Sequence, residues 1–92
     1  MVNKSVASLD LTNNNIGADG AKFLAEGIKA SKSLALLDLR TNEIGADGAK
    51  YLAEGIAASK SLSKLALNGN SLSEASKTLL RSSALENLKI VF

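Results

Sequence analysis

Residues Ser33–Lys60 read SLALLDLRTNEIGADGAKYLAEGIAASK, and the order of residue types in this stretch decides the fold. Leu34, Leu37, Leu39, Asn42 and Ile44 give the pattern L-x-x-L-x-L-x-x-N-x-I, and the run GADGAKYLAEGI follows it. The leucines alternate with residues free to face water, the mark of a half-buried strand. Behind them Gly48, Leu52 and Ile56 recur every fourth residue, one stripe of a helix. A strand–loop–helix unit of this size cannot bury its apolar face alone and must stack on copies of itself.

The copies lie on either side. Lys4–Ser31 and Lys32–Ser59 are each 28 residues long and agree at 21 positions. Leu9, Leu37 and Leu65 correspond, as do Leu11, Leu39 and Leu67, and then Asn14, Asn42 and Asn70. The third unit, residues 60–82, replaces the GADGAK signature with SEASKT, placing Ser73 where Gly17 and Gly45 stand. A terminal strand over 85–92 closes the series, its Leu85 arriving 23 residues after Leu62. Residues 1–92 thus read as one α/β domain of strand–loop–helix repeats.

The spacing predicts helices at roughly 18–30, 46–58 and 74–82. Gly17 and Gly45 fall near the first two N-termini, and Asp19 and Asp47 lie in first turns, where a carboxylate meets the positive end of the helix dipole. Ser71 with Glu74 has the spacing of a capping box for the third. Gly20 and Gly48 are expected to let the helices approach the sheet. Phe23, Tyr51 and Leu79 form a column expected to pack between helices. Lys22–Glu26 and Lys50–Glu54 have the spacing of outer-face ion pairs. Val6, Leu9 and Leu11, with their counterparts, point inward. The Asn of each repeat sits where the chain leaves the strand, and its amide can serve backbone donors and acceptors together, which predicts a structural ladder.

Composition narrows the class. Hydrophobic residues make up 46% of the chain and aromatics 3%, so the core must be Leu, Ile and Ala in regular layers. Eleven basic and nine acidic residues are interleaved and leave a net charge of +2, which argues against a nucleic-acid stripe or a polybasic membrane patch. There is neither Cys nor His, so disulfides, thiolate chemistry and imidazole catalysis have no residues to use. The start MVNKSVASLD has no apolar leader, and no run reaches 18 apolar residues; both point to a soluble, intracellular (cytoplasmic) protein.

The pattern LDLxxNxIGADGAKxLAEGI, carried by both full units, resembles the leucine-rich repeat in its 28-residue, ribonuclease-inhibitor-like class, and the likeness covers Ser5 to Phe92. That resemblance implies a right-handed solenoid, here a short horseshoe segment, with a parallel sheet on the concave face and helices on the convex face. It also implies a non-enzymatic protein that binds a protein partner along the concave strands, without a cofactor.

The outward strand residues can be placed row by row: Ser8, Leu36, Lys64 and Asn87; then Asp10, Asp38, Ala66 and Lys89; then Thr12, Arg40, Asn68 and Val91. Of these, Ser8, Asp10, Thr12, Leu36, Asp38, Arg40, Lys64, Asn68 and Lys89 are the candidate protein-binding residues. Leu36 is the one large apolar side chain expected there. Parallel strands lie about 4.8 Å apart, so Asp10 and Asp38 should be neighbours with Arg40 beside them. Such a pair could hold a basic group or a hard cation, could serve as catalytic carboxyls, or could be ordinary surface. Finally, the terminal strand is apolar: Leu88, Ile90, Val91 and Phe92 form a candidate edge for homo-oligomers, the alternative role being a self-assembling structural unit.

Overall fold

The computed structural model describes residues 8–84 and 88–92. Its elements run β1 (Ser8–Asp10), α1 (Gly17–Ala30), β2 (Leu36–Asp38), α2 (Gly45–Ala58), β3 (Lys64–Ala66), α3 (Glu74–Ser83) and β4 (Lys89–Val91). The four strands form one parallel sheet in the order β1-β2-β3-β4, with a helix between each pair. The strands are short, but main-chain bonds carry the ladder onward: Leu11 N–H donates to the Asp38 carbonyl and Asn13 N–H to that of Arg40, both at 2.9 Å. Among the described residues no helix is long and apolar enough to cross a membrane.

Sequence period becomes strand register. Leu9 pairs with Leu37 and Leu37 with Leu65, each a step of 28 residues. The side chains of Leu37 and Leu65, with Leu39, Leu67, Ile44, Leu52, Ile56 and Leu80, form the buried core. A buried side chain of this kind contributes about 2 kcal/mol through area removed from water. The same leucine slots are less covered in the first repeat: Leu9, Leu11 and Leu24 are only partly buried, because one side of that layer has no neighbour among the described residues.

The last strand corrects the predicted rows. Lys64 pairs with Lys89, Leu65 with Ile90 and Ala66 with Val91, a step of 25 residues. The 23-residue step from Leu62 to Leu85 puts Lys89 beside Ala66 and Val91 beside Asn68, two residues off. A slip of two preserves which face each side chain points to, so the pattern of leucines does not reveal it. The inward positions assigned to Val6 and Leu85 and the outward one of Asn87 lie outside the described residues.

The helices begin where the spacing puts them. Gly17 and Gly45 open α1 and α2 with φ of +68° and +66°, a left-handed conformation glycine adopts without penalty. In α3 the cap is Ser73, whose hydroxyl accepts the Ser76 N–H at 3.2 Å. Ser71 is not the cap; it sits in the preceding loop at φ +58°. Ser31 and Ser59 close α1 and α2, each accepting an N–H from the following strand's approach, Leu34 at 2.9 Å and Leu62 at 3.1 Å.

Three packing expectations change. Gly20 and Gly48 make room for the side chains of Ile16 and Ile44, one turn earlier, and not for the sheet. Phe23 does not pack between helices but is 76% exposed, and Leu79 is 38% exposed. Lys22 places its ammonium 5.7 Å from the centre of the Tyr51 ring. The ion pairs among the described residues are Arg40–Asp38 and Lys77–Glu74, so neither Lys22–Glu26 nor Lys50–Glu54 forms one.

Candidate protein-binding face

The loops that frame the strand face are fixed by the asparagines. Asn42, fully buried, accepts the Asn14 N–H at 2.7 Å and the Ile16 N–H at 3.4 Å through its Oδ1. Its Nδ2 donates to the carbonyls of Leu11 at 2.8 Å and Leu39 at 3.0 Å. Asn70 repeats the set one layer on, accepting from Asn42 at 2.8 Å and Ile44 at 3.2 Å and donating to Leu39 and Leu67. Each amide thus ties its own loop to the loop before it, as the sequence suggested. No polar side-chain atom among the described residues is buried without a partner.

On the open face, Ser8, Leu36, Lys64 and Lys89 form one row across the four strands, and Asp10, Asp38, Ala66 and Val91 the next. Leu36, Asp38, Arg40, Lys64 and Asn68 meet around a groove of about 290 Å³, completed by Leu37, Ala66 and Val91. Ser8, Asp10 and Thr12 lie on β1 or just past it, outside the lining, and Lys89 lies on β4, also outside it. Leu36 is 39% exposed, the large apolar side chain this face presents to solvent. Sequence reasoning missed two things here: the Lys64–Lys89 neighbourhood and the place of Val91 in the groove. Both follow from the two-residue shift of β4.

The carboxylates are neighbours, yet both are already engaged. The Arg40 guanidinium grips Asp38 in a two-pronged bond, Nη2 to Oδ2 at 2.7 Å and Nε to Oδ1 at 2.9 Å. That bond holds the Asp38 carboxyl down to about 2, from an ordinary 3.8. Asp10 accepts the Thr12 hydroxyl at 2.6 Å and the Thr12 N–H at 3.0 Å, and these two bonds lower its pKa as well. Acid–base catalysis by a carboxyl pair needs one partner raised so that it holds a proton near neutral pH; here both shifts are downward. Among the described residues no group of three or more acidic side chains could hold a metal ion.

The candidate edge residues lie on or beside β4, the last strand of the sheet. Leu88, Ile90 and Phe92 pack against the core. The Phe92 ring lies beneath the Arg81 guanidinium at 4.8 Å and the Lys77 ammonium at 5.9 Å. The end of the stack is therefore partly roofed by α3.

A family model described as a leucine-rich repeat matches residues 2–25 and 30–53, more than half of the chain. The chain belongs to the leucine-rich repeat family. No curated protein matches it at a significant level. Leucine-rich repeats generally mediate protein–protein interaction and are generally non-enzymatic. The four-stranded parallel sheet with a helix between successive strands is consistent with the solenoid that such repeats build.

Proposed function

We propose that residues 1–92 act as one non-enzymatic leucine-rich repeat module of the ribonuclease-inhibitor-like class, which binds a protein segment on its open strand face. The observation that carries this reading is the groove around Leu36, bounded by Arg40 and Lys64, with Lys89 beside Lys64. An apolar centre within a polar rim is the composition of a small binding hot spot. Asp38 is neutralised by Arg40, so the uncompensated charges of the face are the two lysines on one side and Asp10 on the other. A partner that fits offers one apolar side chain to Leu36 and acidic residues to Lys64 and Lys89.

The test is a displayed-peptide selection against the full chain, followed by affinity measurements on variants. Leu36→Asp should weaken the selected peptides by at least about tenfold, the loss of one hot-spot contact. Lys64→Glu should weaken them further at low salt than at high salt. Peptides that bind equally well to both variants would place the binding surface elsewhere.

A further inference from the structure

The face of the second repeat that rests on the first is built from residues that recur on the outer face of the first repeat. At the inner junction, a Cβ on Gly55 would fall 2.8 Å from the Ala25 carbonyl oxygen and 2.9 Å from its Cα, so only glycine admits this backbone contact between α2 and α1. Gly48 lies against the same helix, where an added Cβ would stand 3.3 Å from the Ala21 Cβ and 3.4 Å from the Ala18 Cα. Tyr51 is half-buried with Lys22 over its ring, and the Asn42 amide reaches into the loop of the first repeat.

The outer face of the first repeat has the counterparts without the contacts among the described residues. Gly27 stands where Gly55 does in α2, yet a Cβ there meets nothing within 4 Å among the described residues. Phe23 stands in the place of Tyr51 and is 76% exposed. Asn14 stands in the place of Asn42, is exposed, and among the described residues makes one side-chain bond, from Nδ2 to the Thr12 carbonyl at 3.2 Å. Beside them Leu9, Leu24 and Gly27 border an apolar groove of about 390 Å³. A mid-helix glycine weakens a helix unless a close neighbour requires it, and at Gly55 the neighbour is a helix with alanine.

We infer that the β1–α1 outer face is a stacking surface for one further leucine-rich repeat, whose helix presents small residues as Ala18, Ala21 and Ala25 do. Its loop supplies the N–H groups that the Asn14 carboxamide accepts, and its helix covers Phe23. The far end of a second copy does not meet this description. In α3, Lys77 and Arg81 stand at the positions of Ala21 and Ala25, and both lie over Phe92. A bulky charged side chain there keeps a helix from reaching backbone contact at Gly27.

The experiment compares the full chain with one in which a copy of residues 32–59 is placed ahead of Lys4, both carrying Phe23→Trp. In the extended chain the indole emission should shift to shorter wavelength and its quenching by acrylamide should fall several-fold. Separately, Gly27→Ala should raise the urea midpoint of the original chain, where there is space, and lower it in the extended one, where a helix fills that space. Equal quenching in the two chains, or a rise with Gly27→Ala in both, overturns the inference. So does a concentration-dependent dimer of the original chain that Phe23→Ser abolishes, since the surface then belongs to a second copy.

Discussion

The carboxamide oxygen of Asn42 accepts the main-chain N–H of Asn14 at 2.7 Å, across a full repeat of sequence. The same amide donates to carbonyls on both layers, at Leu11 and at Leu39. One side chain thus satisfies the loop backbone of two repeats, and the open strand face is held between such loops.

Asn42→Ala should destabilise the protein by about 3 kcal/mol, since the loss leaves several buried N–H and carbonyl groups unpaired. Asn14→Ala should cost under about 1 kcal/mol, because Asn14 is exposed and its amide makes a single bond among the described residues. Urea denaturation of the two variants checks the difference; equal losses would show that the ladder does not act through its buried bonds.

Thr41 sits at φ +58°, a left-handed conformation that a β-branched residue adopts at a cost. The first repeat has Asn13 in this slot at φ +60°, and the third has Gly69 at +74°. Thr41→Asn should therefore stabilise the chain by about 1 kcal/mol, the scale of the left-handed penalty. A thermal melt that stays put or falls would count against local strain at this loop.

Gly55→Ala should destabilise by about 1–3 kcal/mol through overpacking, because its Cβ would collide with the backbone of Ala25. Helix propensity alone predicts the opposite sign, a gain of about 1 kcal/mol. The sign of the change in urea midpoint decides whether the close contact between α1 and α2 exists in solution.

The folded pKa of Asp38 is about 2 against an ordinary 3.8, held down chiefly by its bond from Arg40. A carboxyl whose folded pKa lies below its unfolded one contributes stability that is present above the unfolded value and is lost as pH falls through the folded one. Asp38→Asn should thus flatten the fall in stability between pH 3.8 and about 2, and Arg40→Gln should do nearly the same. An unchanged acid limb in both variants would mean that the pair is already broken in solution.

Much of this was legible in the residues. The exact 28-residue step between the first two repeats fixes Leu9 opposite Leu37 and Asp10 opposite Asp38, and the structure has both pairs. The buried amides of Asn42 and Asn70 follow from the same repetition. The groove was legible in part: Leu36, Asp38, Arg40, Lys64 and Asn68 line it together, while Val91 and the Lys64–Lys89 row depend on where the shortened third unit makes up its missing residues.

By itself the sequence determined the period, the family and the face of each strand residue, because alternation and repeat length are local properties of the chain. Tertiary structure alone decided the register of β4, since a shift of two residues leaves every face unchanged. It also decided the fates of Phe23 and Tyr51. These aromatics occupy equivalent places in near-identical helices, yet one faces solvent and the other is covered by the preceding helix. Burial is a property of the neighbour, and a residue's place within its own repeat does not set it.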